Sequence, residues 1–201
     1  MENSDISILF NKYGSDKDRN GYSPLYHTLF YNKRQEPLNI LEIGIGTMIP
    51  GARSSMVGYA LDNYSPCGSL RAWRDYFPQS RIIGMDIQAD TQISEDRIET
   101  YFCDSTNAKG VHDVMERLNV NFDIIIDDGC HHFQSQFDTL KNFYPFLNSG
   151  GIYIIEDIYQ GSLVSANPAI VKKIVNNDPL FFVGIQNNQC VIFKNHLTTP
   201  F

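Results

Sequence analysis

Two acidic tips in the sequence could do chemistry: the run FDIIIDDGCHHF, Phe122 to Phe133, and the pair Glu156-Asp157 that follows GIYII. In each, an apolar segment that reads as a buried strand ends in groups that resist burial. A strand that only packs has no use for Asp127, Asp128, His131 and His132 at its end. If the two strands are near neighbours in a parallel sheet, Asp128, Glu156 and Asp157 face one pocket. Three carboxylates there repel one another unless a cation sits among them. Hard oxygen donors without a thiolate pair suit Mg2+ or Mn2+. His131, three residues beyond Asp128, can take a proton from a hydroxyl held at that place, because imidazole titrates near neutrality. His132 reads as a helix-start residue facing solvent, and Asp127 can equally be a helix cap. A nucleophilic Cys130 would need an adjacent base and a step that gains from a covalent intermediate.

A second set of residues belongs to a ligand site. ILEIGIG, Ile40 to Gly46, is a strand running into a glycine turn, where Gly44 and Gly46 let backbone amides approach a ligand. Asp86 closes the next strand in IIGMDI and can take both hydroxyls of a ribose. It lies 40 residues after Gly46, against about 20 in a dinucleotide-binding unit, and a long loop accounts for the excess. Ile49 stands where a third glycine of the dinucleotide pattern would fall. Glu42 would repel a pyrophosphate but suits the ammonium of an amino acid. The expected ligand is cationic, ribose-bearing and free of phosphate, as S-adenosylmethionine is. In YFCDS, Asp104 can accept from an adenine amino group beside Phe102, or can serve as a turn cap. Ser69 and Asp127 complete the expected cofactor set.

The elements that must position these residues alternate. Apolar runs at Leu38–Ile43, Arg81–Ile87, Ile98–Cys103, Phe122–Ile126 and Gly151–Ile155 are near-continuous, as strands covered on both faces are. Helical patterns at Ser69–Tyr76, Ala108–Leu118 and Gln134–Leu147 lie between them, which implies a parallel sheet with helices on both faces. A helical pattern at Asn167–Asn177 precedes runs at Leu180–Ile185 and Gln189–Phe193, and Asn187-Asn188 between those runs suggests an antiparallel hairpin. Ile6–Tyr13 and Pro24–Tyr31 read as short helices around the polar loop GSDKDRNGYS. The stretch Thr47 to Cys67 has no periodicity, and its position after the first strand puts it at the ligand end of an α/β sheet.

Composition sets the outer bounds. With 201 residues, 42% hydrophobic and 19% charged, the chain reads as one soluble domain. A net charge of −7 argues against nucleic acid as a partner. Cys67, Cys103, Cys130 and Cys190 are far apart, and no apolar run reaches the roughly 20 residues of a membrane helix. The opening MENSDISILFNKYG lacks the pattern of a signal peptide, so the cytoplasm is the default expectation.

From LEIGIG through GSLRAWRDYFPQSRIIGMDI to DIIIDDGCHHF and FYPFLNSGGIYIIEDI, the chain resembles the metal-dependent sugar O-methyltransferases of macrolide and aminocoumarin biosynthesis, the mycinamicin and macrocin type. The early KYGSDKDRNGYSPLY is similar to that family's N-terminal segment. The resemblance implies a class I S-adenosylmethionine fold, with Asp128, Glu156 and Asp157 as Mg2+ ligands and His131 as general base. Cys130 replaces the family's usual serine, and the loop before Gly68 is longer than in that family.

The expected architecture is a Rossmann-like, seven-stranded, mostly parallel sheet with one antiparallel strand and helices on both faces. Residues 1–36 and the loop 47–67 would wall an acceptor site within a single domain, 1–201. The expected reaction is Mg2+-dependent methyl transfer to a hydroxyl of a sugar or glycosylated small molecule, with no nucleic acid or membrane partner. Assembly into a homo-oligomer is left open. A catechol or phenol acceptor is the near alternative, and a nicotinamide-dependent oxidoreductase or a non-catalytic nucleotide-binding module the distant one.

Overall fold

The continuous apolar runs are strands because helices cover both of their faces. The computed structural model describes residues 5–52, 55–59, 61–158, 180–186 and 188–194. Among them are β1 (Asn39–Ile43), β2 (Arg81–Asp86), β3 (Ser94–Glu95), β4 (Ile98–Phe102), β5 (Phe122–Asp127), β6 (Leu147–Ile155), β7 (Leu180–Gln186) and β8 (Gln189–Lys194), in the sheet order β3-β4-β2-β1-β5-β6-β8-β7. Parallel pairing joins β4, β2, β1, β5 and β6. Strand β8 runs antiparallel to both β6 and β7. These seven strands match the expected sheet. The two-residue β3, antiparallel on the outer edge of β4, is an addition too short and polar to read from sequence.

On one face lie α1 (Asp5–Lys12), α2 (Ser23–Phe30) and α3 (Gly68–Tyr76); on the other lie α4 (Ala108–Leu118) and α5 (Phe133–Phe143). The first layer is anchored by Trp73, whose ring meets Phe10 and Tyr26 edge-on at centroid distances of 4.9 Å. Helix α4 has the bounds its pattern predicts, because Asn107 caps its start, accepting from the Gly110 amide at 3.1 Å, and Asn119 ends it at φ 47°. Helix α5 stops at Phe143, short of the expected Leu147. Pro145 can continue a tight turn there but not an α-helix, and β6 begins directly after that turn. The helical pattern at Asn167–Asn177 lies outside the described residues. No helix among the described residues is long and apolar enough to cross a membrane.

Strand alternation decides what each acidic tip faces. Ile40, Ile126 and Ile154 pack in the α1–α3 layer, so Glu42, Asp128 and Glu156, two residues further along, point to that side. Ile125 packs in the α4–α5 layer, and Asp127 follows it.

Candidate functional site

The tips of β1 and β5 meet at Gly44. The Asp128 amide donates to the Ile43 carbonyl at 2.8 Å, and the Glu156 amide donates to the Asp127 carbonyl at 2.9 Å, so the ladder runs on to the acidic residues. Gly44 has φ 80°, and a Cβ there would lie 2.1 Å from the Asp128 carbonyl oxygen. Only glycine allows that approach.

Two cavities open on this junction and share Gly44, Gly129 and His131. The first, about 230 Å³, runs along Asp86, Ile87, Cys103, Asp104 and Ser135. Asp86 is buried at its edge, where Oδ2 accepts from the Ile45 amide at 2.9 Å and Oδ1 from the Gln88 amide at 2.8 Å. Burial raises its pKa, against the pull of those amides. Asp104 lines the cavity and serves the turn role expected of it, its Oδ1 accepting from the Thr106 amide at 3.0 Å and hydroxyl at 2.7 Å. Phe102 is corrected. It is 60% exposed and off the cavity, whose apolar wall is Met85, Ile87 and Cys103.

The second cavity, about 520 Å³, is acidic, with Asp16, Asp128, Glu156 and Asp157 on its wall. Donor atoms of Asp128, His131 and Asp157 lie within 4.8 Å of one another. Tyr22 donates to Asp157 Oδ1 at 2.5 Å, and His131 Nε2 lies 3.3 Å from Asp157 Oδ2. Those hard oxygens around a roomy cavity fit a divalent ion. Glu156 sits deeper, 1% exposed, with Tyr26 donating to Oε1. Its oxygens keep spare lone pairs, but it stands outside the compact Asp128–His131–Asp157 group.

Sequence reasoning missed Lys17. Its ammonium is buried among Glu156 (2.5 Å), Asp128 (2.7 Å) and Glu42 (3.1 Å). Burial pulls its pKa down, but the three carboxylates outweigh that and hold it well above the ordinary lysine value. Glu42 is therefore corrected as well. It is fully buried, takes the Trp73 indole N–H at 3.0 Å, and does not line the first cavity. Ser69 is buried against Glu42 and lines neither of these two cavities. Asp127, also buried, points under α5, with Oδ1 accepting from the Gly129 amide at 3.2 Å. His132 is exposed at the start of α5, as read from the sequence. Cys130 lines the first cavity as a free thiol.

The long loop contributes Ser55, Met56 and Tyr59 to the acidic cavity. It is tied to the N-terminal segment: Arg19 donates to the Tyr59 carbonyl, and Asn63 donates to the Asn11 and Lys12 carbonyls at 3.1 and 3.0 Å. Gly46 also lines this cavity, and the Tyr64 hydroxyl donates to its carbonyl at 3.1 Å.

No family model matches the chain. It is 37% identical over 157 residues to the 8-demethyl-8-(2-methoxy-alpha-L-rhamnosyl)-tetracenomycin-C 3'-O-methyltransferase of Streptomyces olivaceus, covering 77% of this chain and 37% of that one. It is 32% identical over 160 residues to the mycinamicin VI 2''-O-methyltransferase of Micromonospora griseorubida, covering 77% and 36%. The solved structure of the mycinamycin-pathway methyltransferase MycE, in complex with Mg and SAH, superposes with a TM-score of 0.78 at 24% identity, over 98% of this chain and 56% of that one. The fold is thus that of the class I S-adenosylmethionine methyltransferases. Within that class the chain is a relative of the sugar O-methyltransferases of the mycinamicin and macrocin type, and it spans little more than a third of the length of these curated relatives.

Proposed function

We propose that the chain transfers a methyl group from S-adenosylmethionine to a hydroxyl of a sugar or glycosylated small molecule, with Mg2+ or Mn2+ as cofactor. The observation that carries this reading is the meeting of the two cavities at Gly44, Gly129 and His131. A nucleoside in the first cavity would place its sulfonium methyl at that junction, facing whatever the acidic cavity holds. Asp86 offers the ribose its remaining lone pairs, and Asp104 and the Met85–Ile87 wall suit a base.

Asp128 and Asp157 would hold the divalent ion, with Glu156 behind them, and the ion would lower the pKa of a hydroxyl it binds. The chain does the rest. His131 receives the proton, and Asp157 Oδ2, 3.3 Å from Nε2, stabilises the imidazolium. Tyr22 keeps Asp157 oriented. The N-terminal segment and the long loop wall the acceptor space at Arg19, Asn20 and Tyr59, which holds the oxygen in line with the methyl group. Asp128 and Asp157 would repel a diphosphate at Gly44, which counts against a nicotinamide cofactor.

The test is methyl transfer from labelled S-adenosylmethionine to methyl α-L-rhamnoside and to mycinamicin VI, in excess chelator and in Mg2+. Turnover that needs Mg2+ is expected. Transfer that persists undiminished in chelator would remove the metal from the mechanism. The cofactor half has its own check. Asp86→Ala should weaken S-adenosylhomocysteine binding by roughly 1.5–3 kcal/mol, the range for a hydrogen bond to a charged group. Calorimetry giving the wild-type Kd for a folded variant would take Asp86 out of the site.

A further inference from the structure

Lys17 is 2% exposed, and two of its three carboxylate partners, Glu42 and Glu156, are as deeply buried. An ammonium has three protons to donate, and three carboxylates lie within 3.1 Å of it. Among the described residues, the other donors to Glu42 and Glu156 are neutral: Trp73 and Ser69 on Glu42 and Tyr26 on Glu156. Water reaches the cluster from the cavity side, where the Asp128 side chain is 23% exposed. Glu42, Glu156 and Lys17 are closed off, so without Lys17 the buried carboxylates would face one another with little screening. Asp128 belongs to both groups. Its Oδ2 meets Lys17, and it also stands with His131 and Asp157 on the cavity. Asp157 is held by Tyr22 instead.

We infer that Lys17 is a positioning residue that supplies, from the chain itself, the cation around which Glu42, Asp128 and Glu156 converge, so that the acidic site assembles before any metal arrives. The metal is then left the outer edge, Asp128 and Asp157, and binds a preformed set of ligands. Three carboxylates at the strand tips do not need an ion to coexist. The metal arm of this inference rests on the proposed function; the assembly arm does not.

The test is thermal melting of the full chain in EDTA and in Mn2+, for wild type, Lys17→Met, and Lys17→Met combined with Glu42→Gln and Glu156→Gln. Wild type should melt within a few degrees of the same temperature in both conditions. Lys17→Met should melt about 10 °C or more lower in EDTA, and Mn2+ should raise its Tm by several times the wild-type increment, because the ion replaces the lost charge. The triple variant should recover most of the loss in EDTA. Equal metal increments in wild type and Lys17→Met would overturn the inference, as would wild-type melting of Lys17→Met in EDTA. If Lys17→Met does not fold, the triple variant decides: recovery supports the inference, and failure to recover refutes it. Melting is read without acceptor or S-adenosylmethionine. A chain that shows this pattern yet transfers no methyl group would therefore overturn the functional reading alone.

Discussion

The His131→Ala chain is expected to bind Mn2+ and S-adenosylhomocysteine as wild type does, while kcat falls by about 10²–10⁴-fold, the range for a lost general base. His131 is half in solvent, on the turn between β5 and α5, and its removal leaves no buried polar group without a partner. The fold should therefore tolerate the change. Asp128→Ala is the contrasting variant. It removes an oxygen from the cavity and a partner from Lys17, so metal affinity and turnover should fall together. Calorimetric titration of Mn2+ into both variants separates the roles. If His131→Ala loses metal affinity in step with turnover, the imidazole is a ligand alongside Asp128 and Asp157, whose donor atoms lie within the same 4.8 Å.

What the sequence revealed of this site follows from strand ends. Asp128, His131 and Asp157 were legible because apolar runs stop at them, and a parallel sheet brings the ends of β5 and β6 side by side. Glu42 and Asp127 were misplaced for the same reason that made those strands easy to find. A run that is apolar on both faces carries no mark of which side the next residue will take. Phe102 was assigned to the wall by adjacency, but β4 ends there and Cys103 makes the inward turn. Lys17 lies in GSDKDRNGYS among other charged residues, and nothing local distinguishes it from a solvated lysine. Its role arises from contacts with Glu42, Asp128 and Glu156, which lie 25, 111 and 139 residues further along the chain. Pro145, by contrast, was a readable stop for α5 that helical periodicity alone overran.

Asp127→Asn is expected to remove a large part of the pH dependence of stability between pH 5 and 8. Burial pushes the Asp127 carboxyl up to about 8, the Gly129 amide opposes the shift, and the charge of Asp128 adds to it. In the unfolded chain the same group titrates near its ordinary 3.8. The folded state therefore holds a proton that the unfolded state gives up. The associated stability is fully present below about pH 4, declines at about 1.4 kcal/mol per pH unit, and is gone above about pH 8. Urea unfolding at pH 5, 6, 7 and 8 should show the gap between variant and wild type shifting steadily in the variant's favour as pH rises. Burial shifts Asp86, Glu42 and Glu156 in the same direction, but they are common to both proteins and largely cancel in the difference. Parallel stability curves would mean that Asp127 is ionised in the native state across that range.

The ammonium of Lys17 also has a consequence for the order in which the molecule comes together. It reaches Asp128 across 111 residues of chain and Glu156 across 139. Closing loops of that length is slow compared with pairing β5 and β6, whose partners Ile124 and Ile152 are 28 residues apart. While β5 and β6 are aligning, Asp128 and Glu156 are drawn side by side with no counter-charge, and the half-built sheet repels itself at that edge. Docking of the N-terminal helices relieves the repulsion and buries Tyr26 and Phe10 against Trp73 in the same step. The barrier to folding should accordingly be sensitive to salt, with screening easing the approach of the β5 and β6 tips until the lysine arrives.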